Sequence, residues 1–209
     1  VQDKTETLAY AMADSPMGPF TFTGIIMDES PSGCWTNHHS ITEYNGQWYL
    51  FYHHNDYSPN FDKNRSARID SLFFNTDGTI KKVKPTLRGV GITDARSKIQ
   101  IDRYSTISPY GVTIDYLEPS NTFEGWQTLF NRAGTWVTYN KVDFGTTPVK
   151  RLKARVRSEK GGAITLRTPG EKGMTIAELP IKPTGKWTEI STNVSNAPTS
   201  MQDLIITQT

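Results

Sequence analysis

The run ITEYNGQWYLFYHH (41–54) constrains this chain most. Asn45-Gly46 accepts the positive φ angles of a type I′ turn, and strand-forming residues flank it on both sides, so the run predicts a tight antiparallel hairpin. QWYLFYHH shows almost no polar alternation until its end, which predicts a strand buried on both faces. The same grammar continues along the chain. LAYAM (8–12) and TFTGIIM (21–27) read as strands around the turn-rich loop SPMGPF (15–20). SARIDSLFFN-TDG-TIKKVKPT (66–86) reads as a second hairpin about Asp77-Gly78. Helical periodicity is nearly absent, and short apolar runs bounded by Gly, Asn, Asp and Pro dominate. The fold class is all-β.

The character changes at LRGVGITDARSK (87–98), which is short of large apolar residues and reads as a linker. Beyond it come IQIDRYSTIS (99–108), GTWVTYNKVDFG (134–145), GGAITLRTPG, TIAELPIKPTG, KWTEISTNV and MQDLIITQT. RLKARVRSE (151–159) alternates strictly. Leu152, Ala154 and Val156 point one way, and Arg151, Lys153, Arg155 and Arg157 the other, a half-buried strand whose basic side reads as a solvated face. Strands at this spacing without helices argue for a β-sandwich.

Composition excludes some function classes. Lys and Arg number 23 against 21 Asp and Glu, a formal net charge of +2, so bulk electrostatics gives no reason to expect nucleic-acid binding. No apolar run approaches the ~20 residues of a membrane helix, so no membrane partner is expected. One cysteine, Cys34, excludes an internal disulfide framework. VQDKTETLAYAM opens without Met and runs at once into a strand, so the N-terminus reads as a cut end. Oligomeric state leaves no trace in the sequence.

All four histidines fall in one hairpin region, as His38-His39 and His53-His54. Neighbours in a strand point to opposite faces, so at most one of each pair faces a given site. Either one is a metal ligand or a polar group in a pocket, or the pairs are hydrogen-bonded loop and strand-end residues. No HxxxH or HxH spacing and no cysteine cluster supports zinc. A Ser-His-Asp set can be assembled from Ser40, a histidine and Asp56, but no nucleophile-elbow motif accompanies it. Arg65 and Arg68 flank a strand start; Arg68 with Asp70 reads as an ordinary ion pair, and Arg65 offers a fork of donors to a ligand. In the second half Phe123, Trp126, Phe130, Trp136, Tyr139 and Trp187 stand out. Core packing is the default for most of them. Trp187, following the turn formers of PTGKW, is expected exposed, where a sugar ring can stack on it.

Three of these motifs occur in one order: YAMADSPMGPFTFTG, NHHSITEYNGQWYLFYHH and RSARIDSLFFNTDGTIKKV. Together they resemble the last blades of a glycoside hydrolase family 43 catalytic domain. The remainder, through IQIDRYS, GTWVTYNKVDFG, RLKARV and PTGKW, resembles a family 6 carbohydrate-binding module. The resemblance implies two domains: residues 1–92, the final blades of a five-bladed β-propeller, and 98–209, a jelly-roll β-sandwich that stops before its usual end. It implies a fragment of a secreted glycosidase, extracellular or periplasmic, of the β-xylosidase and α-L-arabinofuranosidase class. Its partners would be xylan, arabinoxylan or arabinan, as polysaccharide or oligosaccharide. Inversion needs a general acid, a general base roughly 6.5–9.5 Å away to admit water, and a carboxylate tuning the acid. In the family these precede the GPF motif, so no residue here is assigned as catalytic.

The resemblance also assigns binding residues. NHHS matches a Gly-His-x-Ser-like motif with Asn37 in the glycine place, which points to His38 as a partner of a central calcium or its waters. His53 would end the inner strand near the pocket, and Arg65 would lie close to substrate. In the module, Trp187 and Phe130 would form the aromatic pair that grips a sugar, with phenylalanine where tyrosine is more usual. A structural calcium would take Asp102, where glutamate is commoner. The alternative is a non-catalytic, lectin-like carbohydrate-binding protein.

Overall fold

A computed structural model describes residues 6–30, 33–34, 36–55 and 65–209. The chain divides into two compact units, Val1–Val90 and Gly91–Thr209. Their described residues are almost entirely strand, turn and loop.

In the first unit β1 (Leu8–Met12) pairs antiparallel with β2 (Thr21–Met27). A second sheet runs β3 (Ser40–Tyr44), β4 (Gln47–His54), β5 (Ser66–Leu72), all antiparallel. The β3–β4 turn is the expected one: Asn45 and Gly46 both hold positive φ, at 51° and 77°. Leu8, Ile26, Met27, Leu50, Tyr52, Leu72 and Val83 form one apolar core.

Two expectations change here. β4 buries only one face: Leu50, Tyr52 and His54 turn inward, while Tyr49 and His53 are half-buried and Phe51 stands exposed. The run lacks alternation because aromatic residues occupy the outer face too. The 66–86 hairpin closes, with Asn75 N–H donating to Thr79 O and Lys81 N–H to Phe73 O, but its return arm is not a strand of the β5 sheet. It runs to the other sheet instead, where Val83 N–H donates to Ile26 O, Lys82 pairs with Asp28, and Ile80 N–H donates to the Tyr10 hydroxyl.

The second unit has ten strands: β6 (Thr93–Asp94), β7 (Thr106–Ile107), β8 (Val112–Tyr116), β9 (Trp126–Phe130), β10 (Trp136–Asp143), β11 (Arg151–Val156), β12 (Gly162–Arg167), β13 (Thr175–Ile181), β14 (Thr188–Asn193) and β15 (Met201–Gln208). The large sheet runs β13-β12-β15-β10-β6, with β7 also on β10; β11 pairs with β14 and β8 with β9. These layers enclose a core of Val112, Val137, Tyr139, Val142, Phe144, Leu166, Ile176 and Leu204, with Leu152, Phe130 and Val194 packed at its margin. That is the β-sandwich expected.

The stretch 87–98 is not all linker. Thr93–Asp94 pairs in parallel with Val142–Asp143, Ala95 N–H donates to Asp143 O, and the Arg96 guanidinium donates to the carbonyls of Phe144 and Thr147. Backbone and guanidinium hydrogen bonds need no apolar side chain, which is why composition hid this edge strand.

Candidate functional site

The histidine region is built by the end of β4 and the loop before β3. Strand alternation sends His53 to the half-exposed face and His54 to the core. His54 is buried and lies edge-on against Tyr52, ring centroids 4.9 Å apart. His53 Nε2 accepts a hydrogen bond from the backbone N–H of His38 at 3.0 Å, and the two imidazoles meet edge to face at 5.5 Å. An accepting Nε2 places the ring proton of neutral His53 on Nδ1. Burial lowers the His53 pKa first; the charges of Arg65, His38 and His54 lower it further, against an opposing pull from Glu6. Arg65 is exposed and reaches His53 through its field. His39 is exposed. Sequence reasoning thus named two residues, His38 and His53, that the structure brings together. Asp56 lies outside the described residues.

Behind this loop, Thr36 Oγ1, both polar atoms of the Asn37 side chain and His53 Nδ1 are buried without a hydrogen-bond partner among the described residues. Asn37 N–H donates to Glu6 Oε2 at 2.8 Å. Asp70 belongs to a separate network under β4: it accepts from the Tyr52 hydroxyl at 2.5 Å, the Thr86 hydroxyl at 2.6 Å and Thr86 N–H at 3.0 Å. Burial, and then the Asp70 charge, push the Tyr52 phenol well above its ordinary range. That network ties β4 and β5 to the segment at 86 and leaves Asp70 with no free face for chemistry. Arg68, read as a surface partner of Asp70, is buried.

Calcium takes six to eight oxygen ligands. His38 meets the imidazole of His53, and among the described residues no three His, Cys, Asp or Glu side chains gather to hold a metal. That donor set does not fit calcium. Asp102 differs. It is a buried carboxylate, with Oδ2 3.6 Å from Arg103 Nε, and a carboxylate oxygen is the kind of donor calcium takes.

In the second unit Trp187 follows the Pro183–Lys186 turn, just before β14. It is half-buried, not open as expected, because the Arg155 guanidinium from the paired strand β11 lies over its ring, 5.6 Å from the centroid. Phe130 ends β9, is half-buried and packs on the core. No ring contact joins it to Trp187. The exposed aromatic residues lie elsewhere. Phe123 is 97% exposed on the short 3-10 turn Thr122–Glu124, and Tyr110 is 63% exposed beneath the Arg132 guanidinium. Sequence reasoning missed Phe123 by defaulting aromatic residues to the core. Its neighbours Asn121, Thr122, Glu124 and Gly125 were the available signal, since a turn has no inner face.

Residues 107–209 match the family model of the carbohydrate binding module, family 6. That match covers most of the second unit, Gly91–Thr209. The chain as a whole is 29% identical over 206 residues, 91% of its length and 32% of the relative's, to an arabinoxylan arabinofuranohydrolase of Paenibacillus polymyxa. Over 82 residues, 38% of this chain and 24% of the relative, it is 46% identical to a beta-xylosidase of Xylanibacter ruminicola. It therefore spans about a third or less of either protein. Among solved structures, a glycoside hydrolase family 43 arabinoxylan arabinofuranohydrolase from Bacillus subtilis superposes with a TM-score of 0.58 and 26% identity, over 96% of this chain and 44% of that one.

Proposed function

We propose that the chain is part of a secreted glycosidase acting on plant cell-wall hemicellulose, of the β-xylosidase and α-L-arabinofuranosidase class. In this reading the first unit contributes blades to a family 43 propeller and the module holds the polysaccharide. The observation that carries it is the continuous match of both units to an arabinoxylan arabinofuranohydrolase. The first unit's surface supports it. Phe20, Phe22, Phe51 and Met17 stand exposed, as residues do that a blade presses against its neighbours. The inverting mechanism requires two carboxyl groups flanking the scissile bond. Asp70 is locked in its network, so it is not free for that task. His53 and Arg65 sit at the strand end that would border the substrate, Trp187 is the stacking face of the module, and Asp102 is a carboxylate donor for calcium there.

Two measurements on the purified chain test this. Xylo-oligosaccharide titration followed by tryptophan fluorescence should saturate, and Trp187→Ala should abolish the response. The same chain should show no turnover of an aryl xyloside or arabinofuranoside. Turnover would overturn the assignment of the catalytic carboxylates to other segments, and a folded chain that binds no sugar would overturn the module's role.

A further inference from the structure

We propose that the outer face of β11 and β14 binds the carboxylates of a glycan substituted with uronic acids, alongside the ring of Trp187. This rests on the carbohydrate reading of the second unit. Arg151, Lys153 and Arg155 are exposed on one face of β11, where alternate residues lie about 6.7 Å apart, and the exposed Arg157 follows just past the strand's end, so they form a cationic row along one edge of the pair. The facing positions of β14 are Asn193, Ser191 and Glu189. Only Glu189 is acidic, and it meets Lys153 Nζ at 3.1 Å. Four cations against one carboxylate stand here in a chain whose formal net charge is only +2.

A solvated face would account for scattered lysines. Three of these four are arginines, whose planar fork matches a carboxylate through two parallel N–H bonds. Two of them are held. Arg151 Nη2 donates to Ser191 Oγ at 2.8 Å, and Arg155 lies on the Trp187 ring. A held guanidinium loses less freedom when it binds than a free one. Trp187 supplies the apolar surface on which a sugar ring stacks, so the row begins where the module's own aromatic face lies. Nucleic acid fits less well, since the rest of the chain offers no basic balance. A lipid surface would want apolar companions, and Trp187 is the lone one on this face.

The test compares binding of the whole chain, by affinity electrophoresis and calorimetry, to glucuronoxylan and to the same polymer after reduction of its carboxyl groups. Neutral xylo-oligosaccharides measure the module by itself. The acidic polymer should bind roughly three- to tenfold more tightly than its reduced form, because each exposed ion pair is worth at most about a factor of five. That advantage should vanish at about 0.5 M NaCl. It should disappear in Arg151→Gln/Arg155→Gln/Arg157→Gln. It should grow in Glu189→Gln, which releases Lys153 and whose gain no unfolding can imitate. Equal affinity for acidic and reduced polymers, with neutral oligosaccharides still bound, overturns the proposal alone. Loss of neutral binding as well overturns the module reading with it. Dextran sulfate or DNA binding as tightly as the acidic xylan would reduce the row to an unspecific cationic surface and overturn the proposal too.

Discussion

Each unit buries a tyrosine inside a strand, Tyr52 in β4 and Tyr139 in β10, and the two are held differently. The Tyr52 hydroxyl donates to the Asp70 carboxylate, which also collects two bonds from Thr86. The Tyr139 hydroxyl donates to a backbone carbonyl, that of Ile101, amid a purely apolar cluster. The difference runs through both units. Among the described residues, ten of the fifteen exposed large hydrophobic side chains belong to the first unit, although it has fewer residues. Its interior leans on buried polar bonds, while its apolar residues are partly outside. The second unit exposes fewer of its large apolar residues, and a backbone carbonyl accepts from its tyrosine.

The largest effect should come from Asp70→Ala. It strands the Tyr52 hydroxyl and both Thr86 donors, and each buried unsatisfied group costs about 1–3 kcal/mol. We expect a loss of more than ~3 kcal/mol, read as collapse of amide exchange protection in β4 and β5 while β10 and β15 stay protected. Full protection of β4 in this variant would break the comparison. Paired substitutions sharpen it: Tyr52→Phe removes a bond to a charged acceptor, about 1.5–3 kcal/mol, and Tyr139→Phe a neutral one, about 1 kcal/mol. Equal costs in urea unfolding would mean that Asp70 contributes no more than a carbonyl.

The two units were also unequally legible. Asn45-Gly46 predicted its hairpin because a type I′ turn is a local demand on two residues. The β10 and β15 segments were readable from their strand-like composition. Thr93–Asp94 was not, because its parallel partner lies some fifty residues on and asks nothing of its side chains. The site shows the same divide. His38 and His53 stood out by residue type, yet the bond between them runs to a backbone N–H, which no side-chain pattern records. Trp187 was placed in its turn, but its cover is an arginine of another strand, so its half-burial could not be read from PTGKW.

A smaller contrast concerns metal. Asp102 is the one proposed ligand with suitable chemistry, so millimolar calcium should raise the second unit's melting temperature by a few degrees, and EDTA should reverse it. A ligand that binds only the folded state stabilises by mass action, about 2.7 kcal/mol at a hundredfold excess over its Kd. Asp102→Asn should remove the response. The first unit, whose His38 donor set does not suit calcium, should not respond. A calcium shift in β4 protection would reverse that assignment.

The smallest effect is the pH response of the first unit. His53 is held below its ordinary value of 6.5, chiefly by burial and then by Arg65. The unfolded chain therefore takes up a proton near pH 6.5 that the folded unit resists until lower pH. Above 6.5 both states are neutral at this ring and stability is level. Between 6.5 and the lowered folded value, stability falls as pH falls. The local geometry gives the same sign, since a protonated Nε2 carries its own N–H and can no longer accept from His38. His53→Gln keeps an acceptor and does not titrate, so its first unit should hold its exchange protection from pH 7 to 5.5 while the parent loses some. A flat profile in the parent would show that solvent screening at this half-buried ring erases the linkage. A slope that survives in His53→Gln would move it to another group.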